Sequence, residues 1–299
     1  MSESQTRLSV FKTYKLYVGG KFPRSESGRV YEVTDGKTGE WLANAPLSSR
    51  KDARDAVVAA RKAFGGWQGA TAYNRGQVLY RVAEMLEGRR EQFVREVSEA
   101  EGIGKSKATA VVDAAIDRWV WYAGWTDKVA QVAGGANPVA GPFFNLSTPE
   151  PTGVVAVLAP QDSSFLGLIS VVAPVVATGN TVVVIASEKS PLPALSLGEV
   201  LATSDVPGGV VNILTGRAAE IAPSLAAHQD VNGIDLTGAD AELAKQLEIA
   251  AADNLKRVRR PHPVDDFAAT PDTSRLTHFL ETKTVWHPTG SLGASGSSY

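Results

Sequence analysis

The chain has 299 residues, 43% of them hydrophobic, and a formal net charge of −2. It can therefore bury a sizeable core in one large or two modest domains, and no global field draws it to nucleic acid or an anionic membrane. It contains no cysteine, which excludes disulfides, thiolate metal sites and thiol catalysis. The opening Met1-Ser-Glu-Ser-Gln-Thr-Arg7 lacks an apolar signal core. The most apolar stretch, Leu166 to Ala186, is broken by Pro174, Thr178, Gly179 and Asn180, so no membrane span is expected and a cytoplasmic location is.

Residues 15–47 alternate short apolar runs with Gly19-Gly20, Gly28 and Gly39, a pattern of small antiparallel strands at an edge. Ser49-Arg-Lys-Asp52 is a helix start with a short acid three residues after the cap. Ala53, Val57, Ala60 and Phe64 then share one face of a helix over 50–65 that ends at Gly65-Gly66. Val78, Val82, Met85 and Leu86 continue past Gly88 into Phe93, Val94 and Val97, giving two helices or one interrupted helix. A further helical run covers Ala108 to about Lys128 and carries Trp119, Trp121, Tyr122 and Trp125. These rings suit packing of the helix onto a neighbouring sheet better than a ligand cage, with Arg118, Asp127 and Lys128 on a solvated side.

Residues 134–149 are loop-like, with a weakly alternating strand at Phe143 to Thr148. Val154 to Leu158 and Thr181 to Ile185 are continuous β-branched runs of the kind buried on both faces of a parallel sheet. Helices are expected at 164–178, 191–203 and 217–227, with further strands at Val210 to Leu214 and Gly233 to Leu236. Strand alternating with helix predicts a doubly wound α/β sheet. Lys256-Arg-Val-Arg-Arg-Pro-His-Pro263 is basic and proline-broken and is read as a solvated linker rather than a phosphate contact. The linker continues irregularly to 275, Thr282 to Trp286 is a strand, and Gly290 to Tyr299 is a Gly/Ser-rich tail. His228, His262, His278 and His287 show no metal-ligand spacing, and no metal is expected.

One block carries a likeness: Glu150-Pro-Thr-Gly-Val-Val-Ala-Val-Leu-Ala-Pro160, Ala177-Thr-Gly-Asn-Thr-Val-Val-Val184, Glu188, Pro207-Gly-Gly-Val-Val-Asn-Ile-Leu-Thr-Gly216 and Leu236-Thr-Gly-Ala239. Tyr17-Val-Gly-Gly20, Thr38-Gly39, Ala59 to Phe64, Tyr122 to Lys128 and Gly141-Pro-Phe-Phe144 fall in the same order around it. This order and spacing resemble the cofactor-binding half of the NAD(P)-dependent aldehyde dehydrogenases over roughly residues 15–256, with a short piece returning near 276–287. The resemblance implies a Rossmann-type doubly wound sheet with N-terminal helices and a β association element. It also implies that the family's catalytic domain is missing.

The departures bear on chemistry. Pro160-Gln-Asp-Ser-Ser164 stands where the family has Pro-Trp-Asn-Phe-Pro. The resemblance thus puts Asp162 at the asparagine whose amide donates to the oxyanion, and an ionised carboxylate can only accept. Ile185-Ala-Ser-Glu188 replaces Lys-Pro-x-Glu: Glu188 can accept from ribose hydroxyls, or it is an ordinary surface acid. The glycine of Pro207 to Gly216 closes the next cofactor-side motif. Gly238-Ala239 replaces Gly-Ser at the helix end beside the pyrophosphate, and Asp240 there suits capping better than an anion neighbour. Glu188, Gly216, Gly238 and Ala239 are therefore a vestigial cofactor set, with NAD or NADP binding expected to be weak or absent. Asn254-Leu-Lys-Arg-Val258 leads not into the segment with the family's general base but into Arg259-Arg-Pro-His-Pro263.

The expected organisation is a flexible 1–14, a cofactor-type domain over 15–258 that includes the 134–149 association segment, a linker over 259–275, an association strand over 276–288 and a flexible 289–299. Phe143, Phe144, Leu146, Thr284, Val285 and Trp286 are the candidate interface. Such a chain, with exposed apolar surface and an open strand edge, is expected to be a non-catalytic subunit. Its partner would be a full-length aldehyde dehydrogenase, with a homo-oligomer as the other assembly. Two alternatives are residual oxidoreductase activity through Ser163 or Ser164, which have no histidine nearby to act as base, and a nucleotide-binding sensor.

Overall fold

The computed structural model describes residues 10–262 and 265–290. The turn at Gly19-Gly20, both at positive φ, returns Lys21 to Val18, and Tyr17 just before it forms an antiparallel bridge with Ile213. β1 (Val30–Thr34) and β2 (Trp41–Pro46) are an antiparallel hairpin, as the glycine-punctuated runs predict. α1 (Arg50–Gly69) starts at a full capping box: the Ser49 hydroxyl accepts from Lys51 and Asp52 amides, and Asp52 accepts from the Ser49 amide. The helix does not stop at Gly65-Gly66. Trp67, one residue beyond, is buried and its Nε1 donates to the Val176 carbonyl at 2.9 Å, which anchors another turn despite the glycine cost.

The next pattern resolves into two helices, α2 (Ala72–Glu87) and α3 (Arg90–Glu101), broken at Gly88-Arg89. α4 (Lys105–Trp125) follows, then the short α5 (Val129–Ala133). The α4 aromatics pack on helices rather than on a sheet: α4 lies against α2, α3 and, further along, the first crossover helix, with Trp119 and Tyr122 fully buried. Arg118 is not on a solvated side. It is 7% exposed and donates to the carbonyls of Phe267 and Ala269.

β3 (Gly135–Asn137) and β4 (Phe143–Pro151) begin a separate sheet. β5 (Val154–Leu158), α6 (Leu166–Ala177), β6 (Thr181–Ile185), α7 (Leu192–Leu201), β7 (Val211–Leu214), α8 (Ala218–Ala226), β8 (Gly233–Asp235), α9 (Ala241–Ala252) and β9 (Arg257–Arg259) then alternate. The five strands are parallel in the order β7-β6-β5-β8-β9. Their β-branched composition has a direct consequence in β5. Val154, Ala156 and Leu158 face the layer of α1, α8 and α9, whereas Val155 and Val157 face the layer of α2, α4, α6 and α7. This is the both-faces burial of a doubly wound sheet.

β9 corrects the reading of 256–260 as solvated linker. The basic run is an edge strand whose charges are engaged: Arg257 with Glu281, Arg259 facing Asp235, and Arg260 with Glu248. Beyond it, α10 (Ser274–His278) leads into β10 (Leu280–Pro288), which pairs antiparallel with β4 along its whole length in a sheet ordered β10-β4-β3. Phe267, Leu276 and Phe279 from the 265–279 segment pack into the main core, against α6, all of whose residues are buried.

Asn180 ties these parts together. It is fully buried, its carbonyl oxygen accepts from the Gly153 amide at 2.8 Å, and its amide donates to the Phe279 carbonyl at 2.9 Å. Asn180→Ala leaves the buried Gly153 amide without its acceptor, while the Phe279 carbonyl keeps the Thr152 hydroxyl as donor, and should cost roughly 1–3 kcal/mol of unfolding free energy in urea titrations.

Candidate functional site

In an open parallel sheet, ligands bind outside the carboxyl ends of the strands where the strand order reverses, here between β5 and β8. The loop after β5 runs Ala159 to Ser164, the loop after β6 runs Ala186 to Ser190, and the turn after β8 runs Leu236 to Asp240. Gln161 stitches the first two. Its Oε1 accepts from the Glu188 amide at 2.9 Å, its Nε2 donates to the Ala159 carbonyl at 3.0 Å, and its own carbonyl accepts from the Ser187 hydroxyl at 2.8 Å.

Asp162 points to solvent, its side chain 89% exposed, and pairs with Lys189 at 3.1 Å across the mouth of the same two loops. Glu188 is exposed as well, beside the hairpin. Burial, with the Glu188 charge adding to it, pushes the Tyr31 phenol well above its ordinary range. Gly216, at φ +125, lies where a Cβ would touch Leu47 and the Ser48 amide at 3.0 and 3.2 Å. This glycine serves the packing of the hairpin's exit onto the end of β7.

Gly238 is tighter. A Cβ there would fall 1.9 Å from the Ala159 carbonyl oxygen, and its amide donates to the Leu158 carbonyl at 2.9 Å. The turn after β8 therefore sits backbone-to-backbone on the end of β5. Asp240 caps α9, accepting from the Leu243 amide at 2.8 Å, so a carboxylate already occupies the anion-favouring end of that helix. Ala239, without a hydroxyl, adds no donor beyond its backbone.

The structure thus brings Asp162 and Glu188 onto adjoining loops and places Gly238 and Ala239 at the neighbouring turn. Gly216 lies at the hairpin, where Tyr31 faces both its backbone and the Glu188 carboxylate. The serines are structural. Ser163 accepts from the Gly167 amide at 2.9 Å, and Ser164, 2% exposed, donates to Glu101 at 2.8 Å. Glu101 also accepts from the Ser164 amide, and Ser190 donates to the Ala100 carbonyl. The end of α3 is therefore clamped on both loops. Sequence reasoning missed Glu101 and Gln161. Glu101 precedes the helix-ending Gly102, a positional signal, whereas nothing local marks Gln161. Among the described residues no cluster of His, Asp or Glu could hold a metal ion, and no helix is long and apolar enough to cross a membrane.

The candidate interface residues converge on the β10-β4-β3 sheet. Register places Val285 opposite Leu146 and Thr284 opposite Ser147. Phe143 and Trp286 meet edge-on with centroids 5.7 Å apart, and Phe144 stacks on His287. Phe143, Phe144 and Trp286 remain 39%, 47% and 55% exposed.

Residues 22–260 match the model of the aldehyde dehydrogenase family. The chain belongs to that family. Retinal dehydrogenase 2 of Homo sapiens is 34% identical over 254 residues, covering 83% of this chain and 48% of that protein. DhaS of Bacillus subtilis (strain 168) is 33% identical over 253 residues, covering 82% and 50%. Among solved structures, the NAD+ complex of aldehyde dehydrogenase from Bacillus cereus superposes with a TM-score of 0.78 at 27% identity, over 83% of this chain and 50% of that one. The chain spans about half the length of the relatives it matches.

Gly238→Ala should destabilise the protein by roughly 3 kcal/mol, read from the urea midpoint, because neither backbone can move aside cheaply. By contrast, Asp162→Asn should change stability by less than about 0.5 kcal/mol, because its ion pair is solvated.

Proposed function

We propose that this chain is a non-catalytic aldehyde dehydrogenase relative that associates with a full-length aldehyde dehydrogenase and stabilises or regulates it. The observation that carries the reading is the β10-β4-β3 sheet. Its outer strand β10 has one edge unpaired among the described residues, and the sheet presents Phe143, Phe144 and Trp286 partly exposed on strands that already pair with each other. An open edge beside exposed aromatics suits strand addition and an aromatic-anchored contact.

The chemistry points the same way. The chain has no cysteine. Asp162 carries a carboxylate where the resemblance calls for an amide donor. The chain passes from β9 to β10 through the short 260–279 segment rather than through a catalytic domain. The cofactor set does not suit a dinucleotide: the Asp240 carboxylate sits on the α9 terminus, the Gly238 turn abuts β5, and Ile185 offers no cation. Binding of NAD or NADP is therefore weak or absent in this reading.

Native mass spectrometry on the chain, purified through an N-terminal tag from its own organism, tests it. The expected result is a stoichiometric complex with a cysteine-containing aldehyde dehydrogenase, and Trp286→Asp should reduce that complex about tenfold or more. A chain that stays monomeric at micromolar concentration and captures no such enzyme overturns the proposal. Saturable binding of NAD or an adenine nucleotide by the isolated chain would shift the reading to a sensor.

A further inference from the structure

The chain leading into the β1-β2 hairpin crosses the hairpin's outer face and leaves a gap beneath it. Phe11 meets Trp41 edge-on, with ring centroids 5.3 Å apart. The Trp41 Nε1 donates to Asn44 Oδ1 at 3.3 Å, which fixes the indole on its strand. These rings, with Tyr14, Val30 and the turn that precedes β1, enclose a cavity of about 320 Å³, at the lower end of the size range of small-molecule sites. Phe11, Val30 and Trp41 all remain exposed, so the cavity has an apolar wall that only water covers. No residue of the loops after β5, β6 or β8 lines it, and it is separate from the vestigial cofactor region.

The charge at this cavity is one-sided. Lys12, Arg24 and Arg29 line it, and no carboxylate does. Lys12 is already neutralised: it pairs with Glu199 at 2.8 Å and donates to the Ser196 hydroxyl at 2.9 Å. Arg24 and Arg29 are not. They flank the turn Ser25 to Gly28, closed by the Gly28 amide on the Ser25 carbonyl at 2.9 Å and by the Ser25 hydroxyl on the Arg29 carbonyl at 2.8 Å. Both arginines are exposed, and neither guanidinium has an ion pair, hydrogen bond or ring contact among the described residues. Glu26, within the same turn, faces the start of α1 instead: its carboxylate pairs with Lys51 at 3.2 Å and its amide donates to Asp52 at 2.9 Å. Glu32 and Glu40 of the hairpin lie outside the cavity lining.

We propose that this cavity binds a small aromatic anion, a flat ring bearing one acidic group. The ring lies against Trp41 and Phe11, and the acidic group meets the open donors of Arg24 and Arg29. Aromatic rings pack on an indole in stacked or edge-on arrangements, and planar guanidinium forks match the oxygens of a carboxylate or a phosphate. Exposed ion pairs are weak on their own because water screens them. Recognition therefore needs the ring and the charge together: an aliphatic acid forgoes the first and a neutral arene the second.

The test is calorimetric titration of the full chain with sodium benzoate and with phenyl phosphate. Cyclohexanecarboxylate, benzyl alcohol and inorganic phosphate at matched ionic strength are the controls. Saturable one-site binding of at least one aromatic anion is expected, about tenfold or more tighter than any control. Which of the two binds more tightly distinguishes a carboxylate from a phosphate ligand. Replacing both arginines, Arg24→Gln with Arg29→Gln, should weaken that binding about tenfold or more, and Trp41→Ala about fivefold or more. Should Trp41→Ala fail to fold, Trp41→Leu, which keeps apolar cover but removes the aromatic face, takes its place with the same expected weakening. Absence of saturable heat from both aromatic anions overturns the proposal. So does a control that binds as tightly, or undiminished binding by the folded double-arginine or Trp41 variant.

Discussion

A parallel sheet with every β5 and β6 side chain buried has to be covered on both faces, and most of this structure follows from that demand. One face is covered by α1, α8 and α9. The other is covered by α6 and α7, which are themselves so apolar that they need a second cover. α2, α3 and α4 supply most of it. The remainder of α6 is closed by Phe267, Leu276 and Phe279 from the segment joining β9 to β10. The 265–279 segment thus adds to the core built by the part that matches about half the length of the relatives.

The same closing segment explains the concentration of charge around Asp235. A strand end that would otherwise face open space is bound to α10 through Arg275, while Arg118 reaches out of α4 to hold the carbonyls of the connecting loop. Buried cations do this at a cost in desolvation, and they are stable only where carbonyls and carboxylates surround them. Fold completion and the clustering of arginines are therefore one feature seen from two sides.

At the β5–β8 switch the family fold is retained. The loops there are held by contacts that need no ligand: Gln161 on Glu188 and Ala159, Glu101 on Ser164, Gly238 on Ala159. The polar groups that a cofactor site would leave poised are here paired within the protein or turned to water.

The sequence by itself determined the doubly wound sheet, because runs such as Val154 to Leu158 are stable only when buried on both faces, and the start of α1, because a capping box is a local hydrogen-bond pattern within four residues. It also put Asp162, Glu188 and Gly238 after the strands that carry them and found two of the three strands of the small sheet. It misplaced the end of α1, the setting of Arg118 and the strand β9, since each depends on a distant partner: the Val176 carbonyl for Trp67, the 267–269 carbonyls for Arg118, and the edge of β8 for Arg257 to Arg259. Periodicity and composition describe neighbours along the chain. Only the tertiary structure brings Asp235, Arg259 and Arg275 to one point, because that meeting is made by contacts between residues up to 40 positions apart.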